Sequence, residues 1–122
     1  MTATNVRFEY LYRDASNYKR YGSVVFADTD QLSAGLPEIE SRIRKSLMTN
    51  DNFMAHQVRV PELFLYELGG ATEDDHCLHE FFGVETTTHP TDDTFCRSIS
   101  EFVREVESVS RAGWVLFDPD EA

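Results

Sequence analysis

The run VRFEYLY at positions 6–12 alternates without a break. Val6, Phe8, Tyr10 and Tyr12 share one parity, and Arg7, Glu9 and Leu11 share the other. Period two with bulky apolar residues on one side predicts a β-strand with one buried face. A sheet built on such a strand needs a covering layer, and the chain offers two stripes at helical spacing to supply it. Leu36, Ile39, Ile43 and Leu47, with Leu32 just before them, form the first stripe, and Pro37 stands where a helix accepts its opening residue. This predicts a helix over 37–48, with Glu38–Arg42 and Glu40–Arg44 in the favourable order for i,i+4 pairing. The second helix opens on Ser98-Ile-Ser-Glu101, a capping box, and carries Ile99, Phe102, Val103, Val106 and Val109 on one face. Arg111 suits its C-terminus and Gly113 its stop, with Trp114 placed to pack back on the last turn.

Between these elements the chain predicts further strands. RDASNYKRYG at 13–22 is rich in turn formers, so SVVF at 23–26 should pair with 6–12 as a hairpin with a long tip. Met54, His56, Val58 and Val60 alternate as a third strand, LFLYEL at 63–68 reads as a fourth and HCLHEFFGVET at 76–86 as a fifth. VLF at 115–117 is expected to cover a sheet edge. The order is ββαβββα. It predicts an α+β two-layer sandwich: an antiparallel sheet of about five strands with two helices on one face. Residues 1–122 make one domain, with 118–122 as a frayed tail. The far face of the sheet is then the natural place for a partner or ligand.

Charge narrows the classes of function. The net charge is −11. Residues 1–45 hold seven Lys/Arg against six acids, and residues 46–122 hold four against sixteen. A field this negative disfavours nucleic acid and anionic membranes and favours a protein with a basic surface. MTATNVRFEY lacks the basic and apolar regions of a signal peptide, no apolar run is long enough for a membrane helix, and two cysteines do not make a disulfide scaffold. The expectation is a cytoplasmic protein.

Two segments could carry chemistry. EDDHCLHEF at 73–81 packs two histidines, a cysteine and four acids into nine positions. Its metal reading uses His76, Cys77 and His79 around zinc. On a strand His76 and His79 diverge, so further ligands would have to come from His56, His89, Cys96, Asp74 or Asp75. The spacing matches no zinc motif, and the surrounding acids would raise the Cys77 thiol and weaken it as a nucleophile. The plainer reading is an acidic turn (Glu73, Asp74, Asp75) followed by a strand, with Glu80 extending the acidic surface and no cofactor. The second segment is YLYRDASNYKRYG at 10–22, with four of the chain's five tyrosines. Tyr18, Lys19, Arg20, Tyr21 and Arg13 interleave rings and cations as a nucleotide or small-ligand site would. Neither Gly-rich phosphate motif is present.

The sequence therefore predicts a small acidic, non-enzymatic binding or regulatory protein of inhibitor or adaptor type. It would act through an acidic surface and the open face of its sheet. The alternative is a small-ligand or nucleotide binder, or a metal-assisted hydrolase, built from the tyrosine-rich tip and the His76–His79 segment. A homodimer is compatible with either, with Phe53, Phe64 or Phe117 buried between copies.

Overall fold

The alternating segment forms β1 (Asn5–Arg13), the centre of an antiparallel sheet. The computed structural model describes residues 4–14, 17–31, 35–64 and 77–116. On one side β1 pairs with β2 (Lys19–Phe26), from Val6 opposite Phe26 to Arg13 opposite Lys19. On the other it pairs with β4 (His79–Thr87), whose first two residues also pair with β3 (Asn52–Phe53). The strand order is β2-β1-β4-β3. Two helices, α1 (Leu36–Ser46) and α2 (Ile99–Ala112), complete the fold. The chain is α+β as expected.

Val6, Phe8, Tyr10 and Tyr12 all point into one core, which both helices cover with Ile39 and Ile43 from α1 and Ile99, Phe102, Val103 and Val106 from α2. Phe8 is its hub: its ring lies 4.8 Å from Phe102, 5.4 Å from Phe81 and 5.8 Å from Phe53. The helices meet through Arg42, which pairs with Glu107 of α2 at 2.7 Å, while Arg44 keeps its i,i+4 partner Glu40 at 3.7 Å. The capping box forms as the sequence predicts: Ser98 Oγ accepts from the Glu101 N–H, and Glu101 accepts from the Ser98 N–H. Gly113, at φ 102°, ends the helix in a conformation that side chains resist.

Among the described residues the sheet has four strands, one fewer than expected, and the stretch from 49 to 64 does not extend. Met54–Val60 was expected to be a strand. Instead, 3₁₀ turns at Thr49–Asp51 and Ala55–Val58 flank the two-residue β3. Asn50, Asp51 and Arg59 have φ near +60°, which no ladder accommodates. The predicted fourth strand fails at its start. Leu63 and Phe64 lie outside any strand, and Leu65–Leu68 fall beyond the described residues. Side chains satisfy this backbone in place of a ladder. The Tyr10 hydroxyl donates to the Pro61 carbonyl at 2.6 Å, and the Leu63 N–H donates to His79 Nε2 at 2.8 Å. Burial, then the charge of Asp92, pushes the Tyr10 phenol above its usual range, so it stays a donor. Gly22 leaves room for Leu63, whose side-chain methyls a Cβ would approach to 2.8 Å and force to shift.

The hairpin is longer than SVVF suggests, because β2 begins at Lys19. At the other end of the chain, the Trp114 indole N–H donates to the Ser46 carbonyl at the end of α1. Val115 donates its N–H to the Gln57 side chain and, like Leu116, stays exposed in place of covering a sheet edge. Leu32, Phe117 and the 118–122 tail lie outside the described residues. No helix among those described is long and apolar enough to cross a membrane.

Candidate functional site

The face of the sheet opposite the helices carries the odd residues of β1 and β2 together with Glu80, Phe82, Glu85 and Thr87 of β4. Among the described residues no helix packs on it. Its centre is Leu11, opposite Tyr21 on one side and Glu80 on the other. Leu11 is 1% exposed, and the rings of Tyr21 and Phe82, from the strands on either side of it, meet edge to face at 5.9 Å. These two rings form a ridge, and they remain 60% and 57% exposed themselves.

Phe82 reaches this ridge through a bulge. Glu9 pairs with Gly83 but Tyr10 with Phe81, so Phe82 is an extra residue in β4. The bulge also reverses the parity beyond it. Alternation alone puts Val84 on the same side as Glu80 and Phe82, yet Val84 packs against the core.

One hollow adjoins the ridge at Tyr21, and a second opens beyond Arg13 and Glu80 toward the loop before β3. The first, of about 590 Å³, is lined by Arg7, Glu9, Tyr21, Ser23, Glu85 and His89. The Arg7 guanidinium donates to Glu85, to Thr87 Oγ1 at 3.3 Å and to His89 Nδ1 at 3.1 Å. Arginine only donates, so Nδ1 accepts in this contact. Glu9 sits beside Glu85. Burial, then the hydrogen bond and charge of Glu85, raise its carboxyl, with Arg7 opposing. The two carboxyls stand together beside the Arg7 guanidinium, which pairs with Glu85. The other hollow, about 510 Å³, lies toward Arg13, Asp14, Asp51 and Glu80, where Arg13 pairs with Glu80 at 3.0 Å.

The charges of this face balance: Arg7, Arg13 and Lys19 stand against Glu9, Glu80 and Glu85. Glu80 belongs to the open face but is paired, and Glu73, Asp74 and Asp75 lie outside the described residues.

The other candidate residues are dispersed. His79 is 1% exposed in the core, ringed by Tyr10, Tyr12, Phe53 and Phe64. Its Nε2 accepts from Leu63. Cys77 is buried and Cys96 exposed, both as free thiols, and His76 falls outside the described residues. Among the described residues no three His, Cys, Asp or Glu side chains gather as metal ligands. The tyrosine-rich tip is divided. Lys19, Tyr21 and Arg13 belong to the open face. Arg20 points the opposite way, to the Phe64 carbonyl at 3.4 Å, and Tyr18 stands at the turn with its N–H on Asp14. Phe53, expected between copies of a dimer, is 1% exposed in the core, and Phe64 packs against that core.

No protein-family model, characterised protein or solved structure matches this chain.

Proposed function

We propose that the chain is a non-enzymatic binding protein of inhibitor or adaptor type that docks a protein partner on the open face of its sheet. The Tyr21–Phe82 ridge carries the reading: two touching aromatic rings, each more than half exposed, at the centre of a face whose charges balance. Large rigid rings flanked by arginines are the side chains that dominate binding energy at protein interfaces, and a rim of paired charges excludes water around them. The hollow beside Tyr21 gives a partner's side chain somewhere to enter. The chain as a whole carries a surplus of negative charge beyond the balanced charges of these strands. It would act at longer range, steering a partner with a basic surface before the ridge engages it.

A photoreactive residue placed at Ser23, beside the ridge, should trap a partner in extracts of the native cells. The same trap carrying Tyr21→Ser should lose it, and a trap at Arg104 on the exposed side of α2 should not capture it. Equal capture from both positions, or capture indifferent to Tyr21, would count against the open face.

A further inference from the structure

We infer that a second copy of this chain docks on the same open face, ridge against ridge, about a two-fold axis that crosses the strands at Leu11. This rests on reading that face as a docking surface and names one of its occupants. The first argument is charge. Two chains of net charge −11 repel wherever their acidic surfaces meet. Among the described residues the strands of the open face carry three cations and three carboxylates, so a like-charged copy can approach them closely.

The second argument is the arrangement of those charges along the strands. Two residues past Leu11 in one direction stand Arg13 and Lys19, which pair with each other across β1 and β2. Two residues in the other direction stands Glu9, and two further stand Arg7 and Glu85, which pair with each other and leave Glu9 uncompensated. One end of the ridge is thus net positive and the other net negative. A two-fold axis lying in the face and perpendicular to the strands exchanges the two ends. It sets Arg13 of one copy over Glu9 of the other, and Lys19 one strand away from the same carboxylate. An axis parallel to the strands would instead oppose like ends. The first arrangement pairs opposite charges at both ends, as an isologous contact demands, while Glu80, opposite Leu11, meets its own copy near the axis with its charge held by Arg13.

The size of the face sets the strength. Eight residues at about 3.3 Å each, over three strands about 4.8 Å apart, span roughly 26 by 14 Å. That is below the ~800 Å² per partner of a standard interface. The dimer is therefore weak, and its formation must be followed up to high concentration.

Sedimentation velocity of the full chain, from about 10 μM to about 1 mM, tests this in the range expected of a small interface. A concentration-dependent monomer–dimer equilibrium is expected. Tyr21→Ser should weaken it by roughly tenfold or more, the scale of a central ring. That variant also removes the ring opposite Leu11, so charge reversal at exposed positions provides the independent test. Lys19→Glu and Glu9→Lys should each weaken self-association, and mixing the two variants should restore a heterodimer about tenfold tighter than either alone. A chain that stays monomeric throughout overturns the inference, as does a dimer indifferent to all three substitutions. A monomeric chain that still loses its trapped partner on Tyr21→Ser would remove the second copy while leaving the docking face in place.

Discussion

Arg97 is 5% exposed and its guanidinium spends every donor inside the protein. It meets Asp93 through Nε and Nη2 at 2.9 Å each, the Val58 and Arg59 carbonyls at 2.7 and 2.9 Å, and Glu105 at 2.9 Å. Its plane also lies near the Phe26 and Phe102 rings, 5.4 and 5.2 Å from their centroids. This one side chain ties α2 and the loop before it to the irregular stretch after β3. The sequence does not announce it. Asp93 and Arg97 look like a local i,i+4 pair, and the carbonyls they hold in register are 38 and 39 residues away. Removing one member of a buried pair leaves the other charged and unsolvated, so Arg97→Met should cost about 3–5 kcal/mol. Removing both, as Asp93→Asn with Arg97→Met, should cost less than the two single changes together. Urea denaturation of the three variants measures this, and strict additivity would mean that the pair is not coupled.

At the scale of elements, what was legible is what local chemistry decides. The alternation of β1, the stripe of α1 and the box that opens α2 each rest on residues within a turn or two of one another. All three stand within a few residues of where they were expected. The capping box should therefore behave as it does in isolation, and Ser98→Ala should lower the unfolding free energy by about 1 kcal/mol. A loss well beyond that would show that the Ser98–Ser100–Asp30 chain of hydroxyls and carboxylate, at 3.1 and 2.5 Å, also holds the connector after β2. What was not legible depended on partners distant in sequence. Met54–Val60 alternates well enough for a strand, but left-handed residues and the side-chain capture of Pro61 and Leu63 decide otherwise. The bulge at Phe82 is the sharpest case, because HEFFGV reads as plain alternation and nothing local marks the extra residue. Since the pleat repeats every two residues, deleting Phe82 would move either the His79–Phe81 pair or Val84 to the wrong face. That variant should lose the cooperative thermal transition, whereas Phe82→Ala keeps the bulge and should retain it. The candidate site was legible only in part for the same reason. The parity of β1 places Arg7, Glu9 and Leu11 on the open face, but the ridge over Leu11 needs β2 to start at Lys19 and β4 to bulge.

At the scale of the whole molecule, the excess of acids sets how stability answers to pH. With 22 acids against 11 cations, the folded chain repels itself at neutral pH, and titration toward the isoelectric point near 4.6 relieves this. Glu9 acts in the same direction. Its carboxyl is raised by burial and by Glu85, so the folded state binds that proton more tightly than the unfolded chain and gains stability as pH falls through the raised value. Asp93 acts oppositely. Burial alone would raise it, but the Arg97 guanidinium and N–H prevail and hold it low. Glu107 is held low by its hydrogen bond to Arg42. What these two contribute is complete above the ordinary carboxylate range and is lost as pH falls through their depressed values. The two groups of carboxylates thus titrate on opposite sides of about pH 4, the unperturbed range. Urea midpoints taken at constant ionic strength should rise or hold level from pH 7 to about 5 and then fall steeply below about 4. Glu9→Gln should remove part of the gain on the way down, and Asp93→Asn should lower the plateau while making the acid limb shallower. A midpoint that declines steadily from pH 7 to 5 would mean that the paired carboxylates, and not the uncompensated ones, dominate the folded charge.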